Sequence, residues 1–257
     1  MSIDADERVE GEGLRAWLEA AKHSTYEVLI KLTGNGSRGA GPLHKSGTVT
    51  AYVPRLFVND GQRRWRYRCH EMVQPFTTNK LPSEVLAIVH ERSTLRPGTI
   101  ARNHAMLKKQ LREVWAPEWD DDDRLKTLTD LAGCCRDAHE PFEAIGCFYG
   151  ALAIAGHESQ RAAYIHCQLA GCWFKVGFMD RSVTHAMKAW KLVHGYVEPL
   201  LVAIACLLTL HRYADALPLI GAVRKIKNPF RVYCRDDDDR TETEWLDKAE
   251  AKCLVAA

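Results

Sequence analysis

The sequence lacks the features that mark export, paired-thiol metal sites and membrane insertion. Its nine cysteines include no Cys-x-x-Cys pair, which is the spacing typical of zinc ribbons and thioredoxin-like centres. The first residues, MSIDADERVEGEG, are acidic and do not predict a signal peptide. The longest apolar run, Leu200 to Leu210, has about half the length of a membrane-spanning helix. We therefore expect a cytoplasmic protein with reduced cysteines, no membrane contact and no metal.

The motifs of common enzymes are also missing. His-Glu-x-x-His, Gly-x-Ser-x-Gly and a complete P-loop do not occur. The loop at 34–47 contains Gly34, Gly36 and Gly39 in a G-x-G-x-x-G spacing, but the segment after it predicts a strand. A phosphate loop needs the amides of a helix N-terminus, so we interpret 34–47 as a connection between strands. We predict no enzymatic activity and no cofactor, and a phosphate-handling enzyme is only a third hypothesis.

The formal net charge of +2 hides an uneven distribution. Residues 1–115 carry 18 basic and 12 acidic side chains, whereas residues 116–257 carry 17 and 21. Phosphate contact requires only positive charge, so nucleic-acid binding by a regulatory protein is the alternative function. The basic residues that would carry it alternate along a predicted strand or share one face of a predicted helix. They are Arg64, Arg66, Arg68, Arg102, Lys109 and Arg112.

Residue patterns in the first half predict both strands and helices. Segments rich in β-branched and aromatic residues predict strands at 26–32, 48–58 and 63–73. The turn signal Asp60-Gly61 joins the last two into a basic β-hairpin. Apolar residues at helical spacing predict three further helices. These lie at about 11–23, at 83–92 and at 99–115.

From this pattern we predict the α+β fold class. A small antiparallel β-containing N-terminal domain would occupy 1–80, and connecting helices would occupy 81–118. A helical solenoid with a C-terminal capping helix would follow at 119–257.

The second half repeats itself. The segment LAGCCRDAHEPFEAIGCFYGALAI (131–154) aligns without gaps on LAGCWFKVGFMDRSVTHAMKAWKL (169–192), at an offset of 38 residues. A weaker third copy follows, in which Ala216 lies 34 residues after Ser182. Repeats of this length indicate stacked units that bury their apolar faces against one another.

These repeats resemble the tetratricopeptide repeat, a 34-residue helix–turn–helix, over about residues 122–228. The first copy has Leu128, Leu131 and Ala132 on its first helix, and the motif EAIGCFYGAL (143–152) on its second. One departure is Cys135, which stands where the family has an aromatic residue. The resemblance implies a helical array whose first helices line a groove for a peptide or helix of another protein.

Carried over residue by residue, the resemblance assigns a set of groove-facing positions. They are Lys126, Thr129, Gly133, Arg136, Asp137, Tyr164, Cys167, Gln168, Phe174 and Lys175. Some family members clamp a carboxylate with Lys and Asn on successive turns, but Thr129 and Gly133 occupy those places here. We therefore predict a protein–protein interaction adaptor without a chaperone-type clamp. The identity of its partner and its oligomeric state stay open.

Overall fold

The computed structural model describes residues 98–156, 159–226 and 238–256, together with shorter stretches before them. Those stretches are 7–12, 14–20, 25–33, 49–57, 64–68, 72–74, 79–80 and 86–91. The chain divides into two compact units. The N-terminal unit comprises 1–37, 45–96 and 233–237, and the helical unit comprises 38–44, 97–232 and 238–257.

The described part of the N-terminal unit contains one short helix, α1 (Leu14–Ala20), and a set of strands. The strands are β1 (Glu7–Glu10), β2 (Thr25–Thr33), β3 (Val49–Phe57), β4 (Arg64–Arg66), β5 (Met72–Gln74), β6 (Asn79–Lys80) and β7 (Ala87–Glu91). The larger sheet has the order β1-β7-β2-β3, and β6 also pairs with β2. The β4 and β5 strands form a separate antiparallel pair.

Three predictions for this region are wrong. The apolar pattern predicts a helix at 83–92, but this segment contains β7. The segments 48–58 and 63–73 do not form one hairpin, because β3 pairs with β2 and β4 pairs with β5. The larger sheet is mixed rather than antiparallel, since β2 runs parallel to both β7 and β6. The physical reason is that pairing between distant segments decides strand structure, and a short apolar run such as AIVHE has no clear period.

The predicted α+β class is also wrong for the part of the chain with described side chains. In that part 81% of residues are helical and none lies in a strand. Those of them that belong to the helical unit form an all-α solenoid. The predicted turn at Asp60-Gly61 and the glycine-rich loop at 34–47 lie outside the described residues.

The helical unit is built from successive helices that each pack on the next. They are α2 (Thr99–Glu113), α3 (Asp121–Asp137), α4 (Pro141–Ala155), α5 (Gln160–Lys175), α6 (Met179–Leu192), α7 (Val197–Thr209), α8 (Tyr213–Lys225) and α9 (Asp238–Ala256). The pairs α3–α4, α5–α6 and α7–α8 are the first, second and third repeats. Contact also runs from α5 to α7, so the first helices of the second and third repeats pack against each other. The array is tetratricopeptide-like, which confirms the resemblance.

One backbone turn recurs in all three repeats. His139, Gly177 and His211 each have positive φ, at 62°, 84° and 57°. In each repeat the following N–H donates to the carbonyl five residues back, as in Glu140 to Cys135 at 2.8 Å. This is the Schellman closure of a helix C-terminus. The three repeats therefore share one turn geometry although two of them place histidine where glycine is usual.

Small side chains allow close helix packing in the middle of the array. The Ser182 hydroxyl of α6 donates to the Ala170 carbonyl of α5 at 2.7 Å, and the Cys206 thiol of α7 donates to Ser182 Oγ at 3.1 Å. Three helices thus meet at the buried Ser182 hydroxyl, which both donates and accepts a hydrogen bond, as buried polar groups generally do. At the end of the array α9 packs Leu246 and Cys253 against the apolar third repeat.

Candidate functional site

Three of the predicted groove residues meet between the first helices of the first and second repeats. The Arg136 guanidinium of α3 donates to Gln168 Oε1 of α5. It also lies 3.5 Å from Asp137 Oδ1. Arg136 and Gln168 are both buried, so their hydrogen bond is held away from water and joins the two repeats.

The groove positions earlier on α3 are more open. An added Cβ at Gly133 meets no atom within 4 Å. One turn earlier the Thr129 hydroxyl donates to the carbonyls of its own helix, and Lys126 forms an ion pair with Asp130 at 2.5 Å. This part of α3 therefore has space for a ligand side chain at Gly133 and polar groups beside it.

The remaining groove positions on α5 differ in accessibility. Cys167 is buried with Ala163, Ala189 and Tyr196, and burial raises the pKa of its thiol to about 12. Phe174 is partly buried against the core that contains Ala170. Tyr164 is half-buried and Lys175 is exposed. Among these four, Lys175 is exposed, Tyr164 and Phe174 are half-buried, and only Cys167 is buried.

The predicted nucleic-acid residues fall in both units. Arg102, Lys109 and Arg112 are exposed on α2, and Arg102 donates to the Asn103 side chain. Arg64 and Arg66 lie in β4 and Arg68 is exposed just after it. The structure thus gives one exposed basic helix face in the helical unit and basic strand residues in the N-terminal unit.

A chain of polar contacts runs from the exposed Tyr149 of α4 to the buried His185 of α6 and His166 of α5. The Tyr149 oxygen lies 2.9 Å from His185 Nε2, and His185 Nδ1 lies 2.9 Å from His166 Nδ1. We assign the Tyr149 hydroxyl and the His185 Nδ1–H as the two donors, since a neutral His185 then satisfies both contacts. Burial, followed by the nearby His166, Lys188 and Arg181, lowers the pKa of His185 to about 4.

A second polar group, which the sequence analysis missed, lies where α2 meets the turn between α3 and α4. His104 Nε2 lies 3.4 Å from Cys135 Sγ, 3.6 Å from Glu140 Oε2 and 3.7 Å from Glu143 Oε2. All four donor atoms lie within 4.8 Å of one another. We call these four residues the donor cluster. They come from three elements, so no local spacing such as Cys-x-x-Cys could have indicated them.

Two further side chains contact the donor cluster. Lys108 Nζ lies 2.8 Å from Glu143 Oε1, and this contact raises the pKa of the Lys108 ammonium and lowers the pKa of Glu143. Cys147 shares a hydrogen bond with Cys135, which raises the pKa of the Cys135 thiol and lowers that of Cys147. The cluster therefore has charged and polar neighbours on the α2 and α4 sides.

The corresponding place in the second repeat has different chemistry. At the 38-residue offset, Cys135, Glu140 and Glu143 correspond to Trp173, Phe178 and Arg181. The rings of Trp173 and Phe178 meet edge to face, with centroids 5.5 Å apart, and the Arg181 guanidinium lies 4.7 Å from the Trp173 ring centre. The same turn thus holds metal-type donors in the first repeat and an aromatic–cation stack in the second.

The structure is similar to solved helical proteins. BtubC (BKLC) from P. vanneervenii aligns over 62% of this chain and 66% of its own, with a TM-score of 0.52 and 13% identity. The Yersinia enterocolitica type III secretion chaperone SycD, solved with a peptide of the translocator YopD, aligns over 52% and 94%, with a TM-score of 0.44 and 14% identity. MamA aligns over 64% and 94%, with a TM-score of 0.43 and 16% identity.

No protein-family model and no curated protein sequence matches this chain. At 13% identity the similarity to BtubC concerns the fold, and we carry no activity over from it. In the described part of the chain, no helix has both the length and the apolar character required to cross a membrane.

Proposed function

We propose that this chain is a non-enzymatic adaptor whose helical array binds a peptide or helix of another protein along α3 and α5. The observation that carries the proposal is the open position on α3 together with the buried hydrogen bond that links α3 to α5, the first helix of the second repeat. There, Arg136 and Gln168 join the two helices, and Gly133 leaves open space beside Thr129.

The groove suits an extended or helical segment with one bulky side chain and polar neighbours. Space at Gly133 would receive the bulky group, and the half-buried Tyr164 would supply a contact surface of mixed polarity. Lys126, Asp130 and Lys175 place charges of both signs around this surface. Partner choice would then depend on the charge pattern of the segment.

Filling the open space at Gly133 tests this function. A Gly133→Arg variant places a long side chain in the groove while replacing a helix-interior glycine, which favours folding by roughly 0.5–1 kcal/mol. We expect the immobilised variant to lose the proteins that the wild-type chain captures from its native lysate, as identified by mass spectrometry.

The matched control is Gly146→Arg on α4. Gly146 is exposed and an added Cβ there also meets no atom within 4 Å. This variant should capture the same proteins as the wild type. If Gly133→Arg and Gly146→Arg capture alike, or if the wild type captures nothing, groove binding is contradicted.

The exposed basic face of α2 favours a second candidate function, binding to nucleic acid. Arg102, Lys109 and Arg112 would contact the phosphate backbone, and binding would weaken steeply with salt. Joint replacement by glutamine should abolish binding, whereas replacement of the exposed Lys188 and Lys191 on α6 should not. Absence of binding by the wild type at about 50 mM salt would contradict this candidate.

A further inference from the structure

We infer that the donor cluster of His104, Cys135, Glu140 and Glu143 binds a divalent transition-metal ion, with Zn²⁺ as the ion that fits these donors. The inference does not depend on the proposed groove function. It reverses the expectation of no metal that followed from the missing Cys-x-x-Cys pairs. The four residues bring one imidazole, one thiol and two carboxylates together from α2, α3 and the start of α4.

The distances between donor atoms fit tetrahedral coordination. Zinc bonds of about 2.0–2.3 Å to nitrogen, oxygen and sulfur place neighbouring ligand atoms about 3.3–3.7 Å apart at the tetrahedral angle. His104 Nε2 lies 3.4 Å from the thiol sulfur and 3.6 Å and 3.7 Å from the two carboxylate oxygens. All pairs of donor atoms lie within 4.8 Å of one another, so an ion at the centre would draw the wider pairs together by rotation of the exposed carboxylate side chains.

The donor types favour zinc over the ions that prefer oxygen alone. Thiolate and imidazole suit Zn²⁺, whereas Mg²⁺ and Ca²⁺ require six or more oxygen ligands. On binding, the Cys135 thiol would release its proton to solvent and coordinate as the thiolate.

Burial gives the cluster one closed side and one open side. Cys135 is fully buried and the His104 side chain is 17% exposed. The Glu140 and Glu143 side chains are 47% and 40% exposed. An ion can therefore reach the site from solvent past the carboxylates while the sulfur remains shielded from water.

Lys108 orients one of the carboxylates. Its ammonium contacts Glu143 Oε1 at 2.8 Å, and the other oxygen, Oε2, is the one that faces His104. Such outer contacts hold metal ligands in place. With thiolate and both carboxylates ionised, the three negative charges are balanced by the divalent ion together with the Lys108 ammonium.

Comparison with the other repeats supports a role specific to the first one. The same Schellman turn carries Trp173, Phe178 and Arg181 in the second repeat, where the rings fill the space. In the third repeat the corresponding Arg212 and Asp215 pair with each other at 2.7 Å. Only the first of these three turns combines a thiol with two carboxylates, and an imidazole from the preceding helix faces them.

Metal titration of the full chain tests the inference. The purified protein, reduced and stripped of metal, should bind one Co²⁺ with a thiolate-to-metal charge-transfer band and the visible bands of tetrahedral Co²⁺. Zn²⁺ should displace the Co²⁺ and raise the melting temperature, by an amount that grows with the logarithm of the free Zn²⁺ concentration. The Cys135→Ser variant should lose the charge-transfer band and bind Zn²⁺ about 100-fold or more weakly, since loss of even an outer contact costs about 10–100-fold.

The matched control is Cys134→Ser, because the neighbouring thiol donates to the Ile100 carbonyl at 3.4 Å and lies outside the cluster. This variant should bind both metals like the wild type. His104→Gln and Glu143→Gln provide independent tests should Cys135→Ser fail to fold, and each should weaken Zn²⁺ binding with an unchanged metal-free melting temperature. The inference is overturned if the wild type takes up no metal, if Co²⁺ binds without a thiolate band, or if these variants bind Zn²⁺ as tightly as Cys134→Ser.

Discussion

The first and second repeats join their two helices by the same backbone turn, but the side chains at the turn differ. They are ionisable in the first repeat and mainly aromatic in the second. Around His139 the first repeat gathers Cys135, Glu140 and Glu143. Around Gly177 the second repeat gathers two aromatic rings under a guanidinium. The backbone hydrogen bonds are the same in both, at 2.8 Å and 3.0 Å.

This difference shows that the backbone hydrogen bonds of the turn do not determine the role of the side chains around it. The second repeat uses the turn to bury apolar area, which contributes directly to stability. The first repeat places ionisable groups there, and these gain little stability unless a partner balances them. Stability should therefore depend strongly on the turn of the second repeat and weakly on the donors of the first.

The largest effect is expected when the aromatic stack is removed. Trp173 is only 5% exposed, so Trp173→Ala should lower the free energy of unfolding by about 3–5 kcal/mol. Urea denaturation of the full chain measures this loss of unfolding free energy. Trp115→Ala is the control, because Trp115 is 59% exposed and forms a cation–π pair with the Arg124 guanidinium, which is worth about 0.5–1 kcal/mol. Similar losses for the two variants would contradict a structural role for the stack.

The next effect concerns pH and His185, which occupies the second repeat at the position of Cys147 in the first. Because burial lowers the folded-state pKa of His185 to about 4, the unfolded chain takes up the proton first, at its usual pKa of about 6.5. The contribution of His185 is therefore complete above pH 6.5 and is lost as the pH falls towards 4. We expect a loss of about 2–3 kcal/mol by pH 4.

Urea denaturation at a series of pH values measures this loss, and His185→Leu should flatten the profile between pH 6.5 and 4. The control is His194→Leu, since His194 is exposed and its removal should leave the slope unchanged. A wild-type profile as steep as that of His185→Leu would show that His185 titrates alike in both states.

A smaller effect is expected when the first repeat is given the aromatic residue of the second. Cys135 is fully buried beside His104 and Cys147. Cys135→Phe should overpack this space and lower the free energy of unfolding by about 1–3 kcal/mol. Cys135→Ala is the control and should cost less. If Cys135→Phe instead stabilises the chain, the first turn accepts an aromatic side chain as the second turn does. The proposed difference in side-chain role between the two repeats is then contradicted.

The smallest effect comes from the turn residue itself. His139 adopts φ 62° without being glycine, so His139→Gly should raise the free energy of unfolding by about 0.5–1 kcal/mol. The reciprocal change, Gly177→Ala at φ 84°, should lower it by a similar amount. Thermal denaturation measures both. Changes of the same sign would mean that the two turns differ in strain despite their common hydrogen bonds.

Much of the helical unit could be predicted from sequence because its signals are local. The 38-residue offset and the tetratricopeptide resemblance predicted both helices of each of the first two repeats. The strand pairing of the N-terminal unit could not be predicted in this way. β7 pairs in parallel with β2 across more than fifty residues of chain, and such pairings leave little trace in a short segment.

The candidate sites also differ in how much of each could be predicted from the sequence. The predicted groove positions on α3 and α5 come from the repeat, yet the burial of Cys167 and the Arg136–Gln168 hydrogen bond depend on how α5 packs. The donor cluster left no local signal, because His104 lies 31 residues before Cys135. Its members look like ordinary surface and core residues when each helix is considered alone.

The sequence by itself determined the helical repeat, its offset and the small residues that let helices approach, since helix periodicity and capping act over a few neighbouring residues. Only the tertiary structure decided which polar groups meet. It brought His104 to the turn of the first repeat and His166 to His185, and it left aromatic rings in the turn of the second. The physical reason is that donor convergence depends on helix packing in three dimensions, which no fixed spacing along the chain encodes.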